Sequence, residues 1–150
     1  MAGLELLKQV FGEEWFNKFA KVKGLALPKE EAIKLAKEYK SKLPHVYPCI
    51  TIESGEYSGL TIALIEVPSA WENFKKETKL GNLKVGVLIG NVWGSIFYSK
   101  EQAEEFEQAL QNNQFLIVIL RNYRTRETPS GSESWTANLV QFVELAQLIE

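Results

Sequence analysis

Apolar positions recur along this chain with two different periods, and the change between them divides it. In residues 3 to 22, Leu4, Leu7, Phe11, Trp15, Phe19 and Val22 stand three or four apart, the stripe of an amphipathic helix. Pro28 takes a first helical position, with Glu30 and Glu31 at the positive end of the dipole. Ala32, Leu35, Ala36, Tyr39 and Leu43 then continue one face of a second helix. Gly24 falls in the connection and Pro44 ends the second member, so residues 1–43 read as a helical hairpin appended to a β-rich remainder.

From residue 44 the period becomes two. Ile50 and Ile52 alternate with Thr51 and Glu53, a turn-rich stretch runs from Ser54 to Gly59, and Leu60 to Ile65 is a strand apolar on both faces. Ser69 and Glu72 have capping-box spacing, so residues 70–80 are either a short helix or a long loop. Leu83, Val85, Val87 and Ile89 mark a strand. Gly90-Asn91 marks a turn, and Val92 to Tyr98 returns as its hairpin partner. Ser99 and Gln102 form a second capping box, opening a helix that buries Ala103, Phe106, Ala109 and Leu110. That helix exposes Glu101, Glu104, Glu105 and Glu107 and stops near Asn112 and Asn113. Phe115 to Tyr123 is strand-like, Pro129-Ser-Gly-Ser132 is a loop, and Trp135 to Val143 fits a strand giving way to a turn or helix near Glu144, although a helix also fits.

Composition narrows the chemistry. The 150 residues contain 17 Lys plus Arg and 19 acids, all of them glutamate, with one histidine (His45) and one cysteine (Cys49). An Asp-free chain with one His assembles neither a Ser-His-Asp triad nor an EF-hand, and His45 and Cys49 lack a second pair of zinc ligands. No enzymatic activity, metal or cofactor is therefore expected. The lone cysteine and the absence of a signal-like N-terminus predict a cytoplasmic address, and the Lys/Glu bias is of the kind thermophile proteins show. No apolar run approaches the roughly 20 residues that span a bilayer. A single domain of 45% apolar residues has enough to bury one core.

Two clusters stand out from the net charge of −2. All three arginines lie in Arg121-Asn-Tyr-Arg-Thr-Arg126, interleaved with Tyr123, and such a mixture supplies phosphate forks and stacking surfaces. Strict alternation would put Arg121 and Tyr123 on one face and Arg124 and Arg126 on the other, unless the strand twists or bulges. The second cluster, Trp71 to Lys79 with Lys84, holds Trp71, Phe74, Lys75, Lys76, Lys79 and Lys84. Trp93 and Phe97 share a face of their strand with Ser95, opposite Val92, Gly94 and Ile96. Both faces are nearly as apolar, which leaves open which of them is core. The bland alternatives are a solvated strand end pairing with Glu127, and tryptophans buried in the core.

From residue 59 the order is strand, long connection, hairpin, helix, strand, loop, strand. It resembles the OB-fold, a five-stranded Greek-key barrel with its helix between the third and fourth strands. Phe115-Leu-Ile-Val-Ile-Leu-Arg-Asn-Tyr-Arg-Thr-Arg, a polar loop, and Trp135-Thr-Ala-Asn-Leu-Val-Gln-Phe-Val-Glu-Leu look like the last hairpin of replication protein A-type OB domains. The expected class is α+β: an antiparallel five-stranded OB-type barrel, or an open antiparallel sheet, with the helical hairpin attached. The resemblance implies non-enzymatic binding of single-stranded DNA or RNA with little sequence preference, as in DNA replication or repair. In such domains the second and third strands present aromatics to the bases, a role that falls to Trp93. The competing expectation is a protein-interaction module in which the hairpin and the acidic helix face dock a partner or a second copy. A homodimer is compatible with either, and a membrane with neither.

Overall fold

The computed structural model describes residues 27–41, 49–70, 75–78, 81–127 and 129–148. The expected first helix of the hairpin, together with His45, Trp71, Phe74 and Lys79, lies outside them. The elements are α1 (Lys29–Ser41), β1 (Cys49–Thr51), β2 (Leu60–Glu66), β3 (Lys76–Glu77), β4 (Leu83–Ile89), β5 (Val92–Tyr98), α2 (Lys100–Asn112), β6 (Phe115–Glu127), β7 (Glu133–Val143) and a closing 3₁₀ turn, Leu145–Leu148. The class is α+β, with seven strands in one sheet ordered β1-β2-β6-β7-β5-β4-β3.

Five of these strands form a ring. β2 pairs with β6, β6 with β7, β7 with β5 and β5 with β4, and a single bridge, Glu66 to Leu88, joins β4 back to β2. The sheet is mixed rather than antiparallel as expected, because β5 and β7 run parallel. The chain leaves β5 through α2 and comes back along β6, so that β7, antiparallel to β6, arrives beside β5 in the same direction. The β4–β5 hairpin is tight because Gly90 and Asn91 both have positive φ, 55° and 69°, the backbone of a type I′ turn.

Alternation sorts the side chains. Ala63, Ile65, Val85, Val87, Ile96, Tyr98, Leu116, Val118, Leu120, Trp135 and Ala137 point inward and build one core. α2 closes one end of the ring, placing Phe106 against Tyr98 at 5.1 Å and against Phe142 at 5.7 Å. Its start is the expected capping box, with Ser99 and Gln102 bonding each other's backbone. Gln102 also donates to the Leu139 carbonyl at 3.0 Å, tying α2 to β7. Glu107 is not the free surface acid expected, because Tyr98 Oη donates to it at 2.7 Å and Lys75 reaches it at 3.3 Å.

A second core lies on the outside of the ring. Leu27, Ala32, Leu35, Ala36 and Tyr39 pack over Leu60, Ile62, Ile117, Ile119, Val140 and Val143. α1 is therefore a structural layer of the sheet and not an appendage. Its entry is fixed by Gln141 Nε2 donating to the Leu27 carbonyl at 3.0 Å, and by Lys29, which donates to the Phe142 carbonyl and lies 3.7 Å above the Phe142 ring. Burial holds the Lys29 ammonium below its ordinary pKa, with Glu105 and Glu144 opposing that shift. The helix alternative for residues 70–80 fails at Lys76–Glu77. These residues form β3, turned back on β4 by Thr78, whose backbone N–H and hydroxyl both donate to the Asn82 carbonyl. The strand reading holds for 135–143, with the change to a turn just after Glu144.

Candidate functional site

α1 covers only the part of the outer surface made by β2, the first half of β6 and the second half of β7. Among the described residues no helix packs on the outer faces of β4, β5, the start of β7 and the end of β6, and the strand register makes them a grid. One row crosses five strands as Lys76, Lys84, Phe97, Asn138 and Arg121, each Cα opposite the next. The next row is Gly86, Ser95, Thr136 and Arg124. A third pairs Leu88 with Trp93 and Ser134 with Arg126. At about 4.8 Å between strands the first row is about 19 Å long.

The question of which β5 face is core is settled by Trp135. Its ring passes over Gly94 so closely that a Cβ there would lie 2.0 Å from the indole, and its Nε1 donates to the Val92 carbonyl at 2.9 Å. Gly94, Ile96 and Tyr98 therefore face in, while Trp93, Ser95 and Phe97 face out, with Trp93 at 46% exposure.

The arginines reach this face through a bulge. Between Arg121 and Arg124 the register of β6 slips against β7, which advances only from Asn138 to Thr136, and Asn122 takes up the extra residue at φ 57°. Asparagine is among the few side chains that tolerate that left-handed backbone. The slip overturns the split expected from strict alternation. Arg121, Arg124 and Arg126 lie opposite Asn138, Thr136 and Ser134 on one face, while Tyr123 turns inward with Thr125.

Tyr123 is consequently not part of this surface. It stacks on Trp135 at 5.8 Å and 30°, and burial, with Cys49 and Glu133 nearby, pushes its phenol up to about 12. Lys75 is held toward α2 by Glu107, away from the grid. Lys76 and Lys84 are brought onto it, with Lys84 Nζ 6.0 Å from the Phe97 ring centroid. Among the described residues, Lys76, Lys84, Arg121, Arg124 and Arg126 form no ion pair. Glu127 and Glu133, opposite one another at the end of β6 and β7, have the inward parity, and Glu66 stands at the far margin beside Leu88.

The sequence reading missed Gly86, Ser134, Thr136 and Asn138, which with Ser95 supply the small and polar middle of the grid. Their signal was present, since Ser134, Thr136 and Asn138 alternate with apolar Trp135, Ala137 and Leu139. Among the described residues no group of three or more metal-ligating side chains occurs, and no helix is long and apolar enough to cross a membrane. Comparison with protein-family models, with curated proteins and with solved structures finds no match to this chain.

Proposed function

We propose that this protein binds single-stranded nucleic acid without catalysis, laying the strand across the outer face of β4, β5, β7 and β6. The observation that carries the reading is the grid itself, in which five cations that form no ion pair among the described residues share one surface with Trp93 and Phe97. Arginine and lysine ends neutralise phosphates, and aromatic faces stack bases of any sequence. The small residues between the two aromatics, Gly86 and Ser95, let a planar ligand approach the sheet. The fold proposed with this function is an OB-type barrel. Support comes from the five-strand ring, its single-bridge closure, and α2 lying between the third and fourth ring strands, with the aromatics on the third.

Tryptophan fluorescence during titration with a 15-nucleotide oligo-dT at low salt tests the proposal. Trp93 is exposed and Trp135 is buried, so quenching is expected, and Trp93→Ala should remove a large part of it and weaken binding about 5- to 160-fold, the range for one stacked base. A folded protein whose fluorescence and electrophoretic mobility do not respond to the oligonucleotide would overturn it. A stable dimer accompanying that silence would favour the interaction-module reading instead.

A further inference from the structure

At the Arg121 end of the first row the surface dips into a recess of about 240 Å³, lined among others by Asn82, Phe97, Arg121, Asn122 and Asn138. Its chemistry differs from the rest of the grid. Three asparagines from three separate segments line it: Asn82 in the turn before β4, Asn122 in the β6 bulge and Asn138 in the middle of β7. Among the described residues none of these amides is hydrogen-bonded. Gln102, which also borders the recess, is by contrast committed at both ends, to the Leu139 carbonyl and to Ser99.

A carboxamide presents a donor and an acceptor side by side, the arrangement that pairs bidentately with an exocyclic amino group and the adjacent ring nitrogen; adenine and cytosine both carry that pair, and adenine brings the larger ring face for stacking. Phe97, on the recess wall, provides an apolar face against which such a base can lie. Arg121 stands where the phosphate of the same nucleotide would follow it onto the grid. The bulge that turns the arginines to one face also holds Asn122 at the rim, because the extra residue is Asn122 itself.

We infer that this recess is an adenine-selective subsite within the proposed nucleic-acid surface, so that one nucleotide of the bound strand is read by its edge while the others are held only by stacking and charge. The inference rests on the single-strand-binding reading, and its test separates the two. Fifteen-nucleotide dA, dC and dT oligomers are titrated at one salt concentration, beside a dA oligomer in which every adenine is replaced by unsubstituted purine, which stacks but lacks the amino group. The wild-type protein should prefer dA over dT by at least about fivefold, the lower end of what one bidentate pair discriminates, with dC between them. The purine oligomer should lose that preference. Asn138→Ala should bring dA down to the level of dT, and an unchanged urea midpoint would show that the variant still folds. Should Asn138→Ala unfold, Asn82→Ala, in an exposed turn, serves instead. Equal binding of all four oligomers, or a dA preference shared by the purine oligomer and by Asn138→Ala, would overturn the subsite and leave the binding surface standing. No binding of any oligomer would overturn both.

Discussion

A methyl group added at Gly94 would meet three ring atoms of Trp135 at 2.0 to 2.4 Å, and neither partner has room to move. The indole is 1% exposed, hydrogen-bonded to Val92 and stacked on Tyr123. Gly94→Ala should therefore cost about 3 kcal/mol, the upper end of overpacking, or prevent folding. Urea denaturation checks this, and the cost should shrink in a Trp135→Leu background, where the clash is gone. The buried tyrosines give a second prediction at this scale. Burial and the Glu107 carboxylate raise the Tyr98 phenol far above its ordinary pKa of 10.0, and Tyr123 is raised to about 12. Above pH 10 the unfolded chain releases phenolic protons that the folded chain keeps, so the stability these groups contribute is whole below pH 10 and declines as the pH rises through the folded values. The urea midpoint should fall between pH 10 and 11, and a flat profile over that interval would contradict the assignment. Tyr98→Phe should cost about 1.5 kcal/mol at pH 7 through the lost bond to Glu107, and should make the alkaline decline shallower.

Among the elements, β6 holds most of the functional argument, because one residue decides which way its arginines point. At φ 57° a β-branched side chain is strained, so Asn122→Val should destabilise by about 1–2 kcal/mol, while Asn122→Gly should not. Thermal or urea unfolding of the pair distinguishes a backbone requirement from a side-chain one. Equal losses would mean that the bulge is not what Asn122 provides. The same element shows where sequence reading stops. The apolar run Leu116–Leu120 and the capping box at Ser99 were legible because their signals are local, period or spacing within a few residues. The slip at Asn122 was not, since period-two alternation carries no mark of the place where it breaks. The core face of β5 was equally hidden, because Gly94 and Trp135 lie far apart in the chain and only the parallel β5–β7 register brings them together. α1 shows the opposite case, a helix whose apolar stripe was plain while its place on the sheet was not, for a stripe states that a face is buried and not against what.

For the molecule as a whole, the arrangement divides the outer sheet surface between two tasks. α1 seals the half formed by β2 and the adjoining parts of β6 and β7 with a second apolar core, and the remaining half carries the cations, with Trp93 exposed and Phe97, Lys84 and Arg121 half-buried. A net charge of −2 thus coexists with a local surface of five cations that form no ion pair among the described residues, and salt dependence is the measurement that sees the second and not the first. If each of Lys76, Lys84, Arg121, Arg124 and Arg126 neutralises one phosphate of a single strand, the logarithm of the binding constant should fall with the logarithm of salt at a slope of about −3.5. Raising salt from 50 to 200 mM then weakens binding about 130-fold. Replacing the three arginines by alanine leaves two contacts and a slope of about −1.4, so the same change in salt weakens binding only about sevenfold. Replacing Lys75, which is held by Glu107 on the α2 side, should leave the slope where it was. A triple variant that keeps the wild-type slope would remove the arginines from the interface, and a Lys75→Ala variant that lowers it would show that the bound strand extends beyond the grid toward α2.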